Sequence, residues 1–396
     1  MKQTYLFLGL FSFLGLTSCM EDVEVREKPV TNVTDLKVPA DFSWKMSHDV
    51  LLSVESPVET TIEIFSSEGC EENSLLATLQ APLQSTPLSV ANSVRDLYVR
   101  YTKKDGTKGV VKTAVAVTRA ADDLAVKLPE DVGSMELTQG EHWYIYPSGG
   151  YGTLLFEDNW PVKGDYDLND VVARYKIQLE VEDGEIYYII INVQLTALGG
   201  SYPYQLCMKA NNLKEDNIGK IKGYTQNPNY IGTYSTSYTD NRSLLVTYDW
   251  PGLKGSNGGS YYNTEEDHLA TGLDYNQLSI IINLNEAMTV ADLPHDSFDF
   301  FIKRTDDNTE IHMKGYAPTD AFEAGYAEEA ASMGSAYYST KDNFVWGIKV
   351  PAAIPHPKER VSILDAYPDF AGWVESGGTL NSNWYENRND GKYVSY

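Results

Sequence analysis

Cysteine is scarce in this chain of 396 residues, which contains only Cys19, Cys70 and Cys207. The sequence has no CxxC pattern and therefore offers no cysteine-based metal site. Nothing in the spacing of Cys70 and Cys207 indicates that they pair with each other. We therefore expect both of them to be free thiols.

Motifs of the common enzyme classes are also missing. The sequence contains no HExxH, no GxSxG and no P-loop. Its histidines do not cluster, so a zinc site would need ligands from distant parts of the chain. They are His48, His142, His268, His295, His312 and His356. A glycosidase would need two carboxylates about 5–10 Å apart, and a chain this acidic supplies many such pairs by chance. The sequence therefore leans against an enzyme but leaves a carboxylate-based one open.

Basic residues are outnumbered, with 31 Lys and Arg against 56 Asp and Glu and a formal net charge of −25. This balance excludes nucleic acid as a partner, because phosphate backbones are bound mainly through Lys and Arg. The excess of acid could serve solubility, cation binding or both.

Long apolar runs are absent beyond the N-terminus. Residues 5–16 form an apolar run after Lys2, too short to span a bilayer with ease. It ends in Leu16-Thr17-Ser18-Cys19, which resembles a bacterial lipobox with cleavage before Cys19 and a lipid on its sulfur. Residues 1–18 are thus predicted to be a lipoprotein signal peptide. The alternative is an ordinary signal peptide with a chance cysteine.

Acidic residues follow Cys19 directly: Glu21, Asp22 and Glu24. Their position resembles the surface-export signal of Bacteroidetes lipoproteins. Residues 19–38 lack apolar periodicity, which predicts a flexible acidic tether. We expect the lipid on Cys19 to attach the protein to the outer membrane, exposed at the cell surface.

Residues 39–118 are predicted to form a small β-sandwich domain. Several apolar-polar alternating runs are typical of half-buried strands, and Lys104-Asp105-Gly106 predicts a hairpin turn. The size and spacing favour an immunoglobulin-like sandwich. Residues 119–139 have no strong period and are predicted to be a linker.

Residues 140–396 are predicted to form a larger antiparallel β-sandwich, jelly-roll-like, with short helices. The run from Val171 to Leu179 alternates cleanly between apolar and polar residues. One helix is expected near residues 321–333, ending at Gly334, and another near residues 368–376, ending at Gly377. The whole chain is therefore predicted to be mostly β.

Aromatic residues are abundant, with 28 Tyr and 7 Trp. Trp250, Tyr261 and Tyr262 flank a glycine-rich loop at residues 254–260, and we predict that they form an exposed patch that stacks on glycans. The alternative for the many tyrosines is cross-strand pairing inside a large β structure.

One acidic stretch, residues 156–172, carries the strongest chemical signal. Its oxygen-bearing side chains include Glu157, Asp158, Asp165, Asp167, Asn169 and Asp170. The alternate spacing of Asp165, Asp167 and Asn169 lets each side chain reach one cation while the intervening residues point away. Calcium accepts six to eight oxygen ligands in irregular geometry, so we predict a calcium site here.

The stretch departs from an EF-hand, since Asp170 stands where that loop needs glycine and Lys176 where it needs glutamate. Two alternatives to a metal site stay open. One is a carboxylate-rich turn held by backbone N–H groups and by Arg174 or Lys176. The other is a catalytic carboxylate pair.

Four segments of the C-terminal two thirds stand out by their motifs. They are the acidic stretch with its Trp160-Pro161 corner, residues 311–319 around His312, residues 344–351 around Trp346, and residues 366–378 with Trp373. In this order they resemble the sequence blocks of LruC-domain proteins. Val345 stands where the family usually has proline. The resemblance implies a β-rich surface or outer-membrane lipoprotein, implies no established reaction, and is compatible with calcium at the acidic stretch.

We therefore expect a non-enzymatic, calcium-binding surface lipoprotein that acts as a binding or adhesion module for glycans or surface proteins. The alternatives are a carboxylate-based glycan-processing enzyme and a structural subunit of a surface assembly.

Overall fold

The computed structural model describes residues 30–115, 123–137, 140–225, 232–272 and 277–395. The predicted signal peptide, Cys19 and the first part of the predicted tether lie outside these residues. Within them the chain is mostly β with antiparallel sheets, as predicted. No helix among the described residues has the length and apolar character needed to cross a membrane.

Seven strands lie in the described residues before position 140. They are β1 (Ser47–Glu55), β2 (Thr60–Phe65), β3 (Leu75–Ala81), β4 (Leu83–Ala91), β5 (Asp96–Thr102), β6 (Lys108–Ala114) and β7 (Asp123–Lys127). The turn predicted at Lys104-Asp105-Gly106 connects β5 to β6, and Gly106 adopts the positive φ of 84° that this turn requires.

Twelve further described strands follow. They are β8 (Trp143–Tyr146), β9 (Gly152–Phe156), β10 (Val171–Glu182), β11 (Glu185–Ala197), β12 (Tyr204–Lys214), β13 (Ile218–Tyr224), β14 (Thr233–Thr239), β15 (Ser243–Asp249), β16 (Gln277–Leu284), β17 (Phe298–Arg304), β18 (Glu310–His312) and β19 (Gly347–Val350).

Short helices lie near the C-terminus. They are α1 (Glu323–Glu329), α2 (Ile363–Ala366) and α3 (Phe370–Glu375). Single 3-10 turns lie at Val33–Asp35, Glu72–Ser74, Glu215–Asn217, Glu266–His268, His295–Ser297, Ala330–Ser332 and Trp384–Glu386. The helices expected near residues 321–333 and 368–376 are confirmed as α1 and α3.

The strands assemble into a 3-stranded sheet in the order β4-β1-β7, an 11-stranded sheet and a 5-stranded sheet in the order β14-β15-β12-β17-β18. The main path of the 11-stranded sheet is β13-β16-β11-β10-β8-β3-β2-β5-β6, and β9 and β19 extend it beside β10.

The 11-stranded sheet continues across the predicted domain boundary. In the β3–β8 pair, Ala77 is opposite Tyr144 and Thr78 is opposite Trp143. The predicted linker also contributes β7, which pairs in parallel with β1. Backbone pairing therefore couples the N-terminal strands to the rest of the chain, and the division into two domains stays a prediction.

Two large apolar clusters form the core. One lies between the sheets, and β10 contributes Ala173, Tyr175, Ile177 and Leu179 to it from alternate positions. The predicted alternation along this strand is thus confirmed. Each fully buried side chain of this size contributes about 1.5–3 kcal/mol relative to an exposed one.

The second cluster joins the N-terminal segment to the C-terminal helices. Val33 and Leu36, which lie in the predicted tether, are buried in it. Nearby, Phe42 and Trp44 pack against Trp373 of α3, with ring centroids 5.0 and 5.7 Å apart. The predicted tether therefore extends too far along the chain. Residues 30–38 are described, and they carry apolar side chains that the C-terminal segment covers.

Candidate metal centre

The acidic loop, residues 157–170, connects β9 to β10. These two strands pair in antiparallel fashion, with Phe156 opposite Val171, so the two ends of the loop are held side by side. The Glu157 N–H also donates to the carbonyl of Trp346, 2.8 Å away. The strand pairing therefore fixes both ends of the loop and places Glu157 near Asp170.

Side chains alternate along the tip of the loop. Tyr166 and Leu168 have positive φ values of 56° and 54° and are buried in the C-terminal apolar cluster. This left-handed backbone, which is uncommon outside glycine, turns the apolar residues to one side. Asp165 and Asp167 consequently lie on the other side, as the predicted alternate spacing requires.

Three carboxylates converge at the centre of the loop. Single oxygens of Glu157, Asp165 and Asp167 all lie within 4.8 Å of one another. Glu157 Oε1 accepts a hydrogen bond from the Leu168 N–H at 2.7 Å, whereas the buried Oε2 has no hydrogen-bond partner. An unpaired buried carboxylate oxygen is costly in free energy when the group is ionised, and a cation at this point would offset that cost.

Gly164 leaves room beside that oxygen. A Cβ at position 164 would lie 1.9 Å from Glu157 Oε2 and 3.2 Å from Asn159 Nδ2. Only glycine therefore allows the backbone to approach the unpaired oxygen at this point.

The pKa values of the buried carboxyls are raised. Burial and then the neighbouring Asp170 and Asp167 raise the pKa of Glu157 well above its ordinary value. Burial and Asp165 raise the pKa of Asp167 to about 7. Burial and Asp158 raise the pKa of Asp170 to about 9. The ionised cluster is thus unfavourable unless a cation compensates it.

Asp158 and Asp170 form the second part of the cluster. The Asp158 N–H donates to Asp170 Oδ2 at 2.7 Å. Burial raises the pKa of Asp158, while N–H groups of residues 201–202 and the cations Lys254 and Arg304 act in the opposite direction. The negative charge of Asp158 is therefore partly offset by nearby N–H groups and basic side chains, whereas Glu157 has no basic side chain paired with it among the described residues.

Asn169 is buried, and its contacts differ from those of the carboxylates. Its Nδ2 donates to the carbonyl of Pro357 at 3.3 Å, and its Oδ1 has no hydrogen-bond partner. A Cβ on Gly199 would lie 2.3 Å from that Oδ1. Asn169 thus presents a second unpaired oxygen, on the side of the loop that contacts Gly199.

Sequence reasoning did not place Glu359 and Arg360 at the acidic loop. The Arg360 N–H donates to Asp167 Oδ2 at 2.8 Å. Glu359 lines the same cleft, and burial followed by the charge of Asp165 raises its pKa. These residues lie almost 200 positions after the loop, so no local pattern could connect them to it.

The cluster opens into a cleft of about 380 Å³. The donor set fits a hard divalent cation, because it consists of carboxylate and amide oxygens without cysteine or histidine. Calcium and magnesium both take such oxygen ligands, calcium in the more irregular geometry. Among the described residues, no lysine, arginine or histidine forms an ion pair with Glu157, Asp165, Asp167 or Asp170.

Part of the alternative hypothesis of a carboxylate-rich turn is also present, since backbone N–H groups bind Glu157, Asp167 and Asp170. The suggested basic partners lie elsewhere. Lys176 donates to the carbonyl of Gly149 at 3.2 Å, and Arg174 donates to Gln194 Oε1 at 3.4 Å. The turn hypothesis therefore leaves Glu157 Oε2 unexplained.

The predicted aromatic patch is wrong. Trp250 and Tyr262 are only 5% and 4% exposed and belong to the main core. Tyr261 is half-buried beside the acidic cleft, with Lys254 Nζ 5.5 Å from its ring centroid. The sequence could not separate these core rings from surface rings, because a glycine-rich loop flanks both kinds.

A second buried charged group lies in the 5-stranded sheet. His312 Nδ1 is 2.8 Å from Asp299 Oδ2, and its Nε2 is 3.2 Å from Glu310 Oε2. Both ring nitrogens face carboxylate oxygens, so both must donate and the ring is a cation. Glu310 also accepts from the Thr319 N–H and hydroxyl at 2.8 and 2.7 Å.

Cys70 and Cys207 are both free and buried, as expected.

Comparison with known proteins gives two matches. The profile of a domain of unknown function, DUF4842, matches residues 184–385, just over half of the chain. A solved structure of a candidate lipoprotein from Bacteroides ovatus is similar, with a TM-score of 0.68 and 23% sequence identity, over 85% of this chain and 99% of that one. At this identity the likeness shows a shared fold. The search of curated proteins gives no match.

Proposed function

This chain belongs to the DUF4842 family, whose function is undefined, and we propose that it is a lipid-anchored cell-surface protein stabilised by calcium at residues 157–170. The observation that carries the calcium proposal is Glu157 Oε2, a fully buried carboxylate oxygen without a hydrogen-bond partner beside Asp165 and Asp167.

Glu157, Asp165 and Asp167 would hold the ion, and Asp170 would add charge nearby. A bound calcium supplies the positive charge that the cluster lacks. The chain's own residues position the ligands: the β9–β10 pair fixes Glu157, the Arg360 N–H orients Asp167, and Gly164 opens the space. Millimolar calcium outside a cell would occupy even a site of the weak extracellular class.

The test is thermal unfolding of the soluble chain, residues 20–396, which keeps every described residue. We expect a chelator to lower Tm, calcium to restore it, and magnesium to restore it less. Identical melts with chelator and with calcium, together with no heat of binding in calorimetry, would refute the calcium proposal.

The anchor proposal rests on the lipobox-like sequence before Cys19, and the candidate lipoprotein from Bacteroides ovatus supports it by its shared fold. Replacing Cys19 with Ala should move the protein from the membrane fraction to the soluble fraction and abolish incorporation of labelled fatty acid. Unchanged fractionation of the Cys19→Ala protein would contradict the anchor. Protease accessibility on intact cells tests placement at the outer surface.

A binding or adhesion role is the finer part of the proposal, supported by a groove beside the acidic cluster. This groove of about 220 Å³ is lined by Tyr202, Tyr204, Lys254 and Asp170 among others. Tyr202 is 39% exposed, with the Arg304 guanidinium 3.6 Å from its ring centroid. Such a ring beside polar groups suits a sugar face. Glycan-array binding that Tyr202→Ala removes would support this role, and an array without signal would contradict it.

A further inference from the structure

Most sheet edges in the described part of the chain are protected against pairing with another strand. Unpaired edges expose backbone N–H and C=O groups, and proteins guard them with charges, proline or short length. The guards here are Pro87 in β4, Asp123 and Lys127 in β7, Lys108 and Lys112 in β6, Lys220 and Lys222 in β13, Lys349 in β19, and the three-residue length of β18.

Strand β14 is the exception. It forms one end of the 5-stranded sheet and pairs with β15 along all seven of its residues. It contains no charged residue, proline or glycine. Residues 233–238 are exposed, including Tyr234 and Tyr238 at 40% and 39%. Its outer edge is therefore open within the described structure and has no guard.

The β14 sequence has a property that points to its partner. Residues 233–239 read Thr-Tyr-Ser-Thr-Ser-Tyr-Thr, which is the same in both directions about Thr236. In an antiparallel pair of two copies centred on Thr236, every residue would face its own type. Thr236 would face Thr236, and Tyr234 would face Tyr238 of the other copy.

We propose that β14 is a self-association edge, which pairs in antiparallel fashion with β14 of a second copy about a two-fold axis at Thr236. The interface about this two-fold axis is isologous, which means that both copies use the same surface. In antiparallel strands alternate residues present both N–H and C=O to one side. Either alternating set in β14 is symmetric about Thr236, so the ladder would close with roughly six to eight hydrogen bonds.

Side chains reinforce this register. Tyr234 and Tyr238 lie on the same face of β14, because side chains two or four positions apart in a strand share a face. Pairing would create two cross-strand Tyr–Tyr contacts on that face and Ser–Ser and Thr–Thr contacts on the other, all of them favourable pair types. The uncharged edge also matters in a chain of net charge −25, because it lets two copies meet without opposed carboxylates at the contact.

Cysteine crosslinking of the soluble chain, residues 20–396, tests the register. Residues directly opposite in an antiparallel pair have Cα atoms about 4.5–5.5 Å apart, which suits a disulfide. Thr236→Cys should therefore give a covalent dimer on oxidation with diamide. Thr233→Cys is the matched control on the same strand. In the proposed register its two copies lie six residues apart, about 20 Å, and should not crosslink.

Sedimentation velocity over a range of concentrations gives the second readout. Thr236→Lys and Thr236→Glu each place like charges opposite each other and should weaken self-association about fivefold or more. An equal mixture of the two variants should recover it, because the heterodimer pairs opposite charges. Val110→Lys, on the β6 edge, should leave association unchanged.

Equal crosslinking at positions 233 and 236, or none at 236, would overturn the proposal. So would a wild-type chain that stays monomeric at all concentrations. Since Thr236 is exposed, both charge variants should fold with an unchanged Tm.

Discussion

Two regions of this molecule bury acidic side chains in opposite ways. In the 5-stranded sheet, Asp299 and Glu310 surround the His312 ring, so two carboxylates share one internal cation. In the loop of residues 157–170, Glu157, Asp165 and Asp167 converge without an ion-pair partner in the described structure. Both regions lie within β-sheet frameworks, yet only one contains its own positive charge.

The pKa shifts express this difference. Burial alone would lower the pKa of His312, but Asp299 and Glu310 outweigh it and raise that pKa. Burial would raise the pKa of Glu310, but His312 and Thr319 outweigh it and lower that pKa. In the acidic loop, by contrast, burial and neighbouring carboxylates act together, and the pKa values of Glu157, Asp167 and Asp170 all rise.

The two regions differ in where a compensating positive charge lies. The chain supplies a cation for buried carboxylates by folding a histidine between them. At the acidic loop it supplies backbone N–H groups and a glycine-lined space instead. Each region has a buried carboxylate oxygen without a hydrogen-bond partner, Asp299 Oδ1 and Glu157 Oε2, but among the described residues only the first region has a basic side chain between its carboxylates. We infer that the cation of this loop comes from solution.

The largest expected effect comes from removing the internal cation. His312→Gln leaves Asp299 and Glu310 buried beside each other without compensation. Breaking a buried ion pair in this way costs about 3–5 kcal/mol of unfolding free energy, which urea denaturation can measure. His268→Gln, at a half-buried histidine outside this group, is the control. If His312→Gln lowers the free energy of unfolding by less than about 1 kcal/mol, His312 does not act as the internal cation of this group.

When calcium is absent, Glu157→Gln should raise the free energy of unfolding, whereas Glu310→Gln should lower it. Glu157→Gln removes a buried carboxyl that, without calcium, must either stay charged without a basic partner or take up a proton, so the chelated protein should gain stability. It should also lose the calcium response, which for the wild type is about 2.7 kcal/mol at a hundredfold excess over Kd. Glu310→Gln should instead destabilise the protein equally with and without calcium. Calorimetric melts in chelator and in calcium separate the two variants.

The free energy of unfolding should also depend on pH in a different way for each of the two regions. For the acidic loop the folded pKa values lie above the unfolded ones, so the folded state holds protons that the unfolded state has lost. Without calcium, unfolding free energy should therefore fall as pH rises from about 4 through about 7 for Asp167 and about 9 for Asp170. With these two pKa values we expect a loss of roughly 4 kcal/mol between pH 6 and pH 8, about one third of it from Asp167 and the rest from Asp170.

Saturating calcium should flatten this loss, because the ion replaces the protons. His312 contributes a separate loss that begins above pH 6.5 and continues through its raised pKa, and calcium should not change it. Urea titrations at pH 6 and 8, with and without calcium, measure both parts. An identical pH slope in chelator and in calcium would contradict the assignment.

The smallest expected effect concerns the space beside Glu157. Gly164→Ala puts a Cβ where Glu157 Oε2 lies, so the carboxylate must shift. We expect the calcium response to weaken by about 1 kcal/mol, in the range of a local overpacking strain. Calcium titration by calorimetry measures it, and wild-type affinity in the Gly164→Ala protein would show that Glu157 Oε2 is not a ligand.

Local pattern predicted much of the fold. The alternation along residues 171–179 gave β10, and turn chemistry located the β5–β6 hairpin at Gly106. The joining of β3 to β8 was not predictable, because its two residue pairs connect strands more than 60 positions apart. Burial of Trp250 and Tyr262 was missed for a similar reason, since their covering residues come from other strands.

The site shows the same division. The spacing of Asp165 and Asp167 indicated that both would turn to one side, and the positive φ values of Tyr166 and Leu168 show how. The contributions of Glu359, Arg360 and Gly199 depend on tertiary packing and have no local signal. The His312 group likewise needs Asp299 from the neighbouring strand β17.

The most direct measurement is a crystal structure of residues 20–396 grown with calcium, with anomalous differences collected at long wavelength. We expect an anomalous peak about 2.3–2.6 Å from Glu157 Oε2 and from oxygens of Asp165 and Asp167. The peak should vanish in crystals of Glu157→Gln. A water molecule or a basic side chain against Glu157 Oε2, with no anomalous signal in calcium, would contradict the claim that this loop takes its cation from solution.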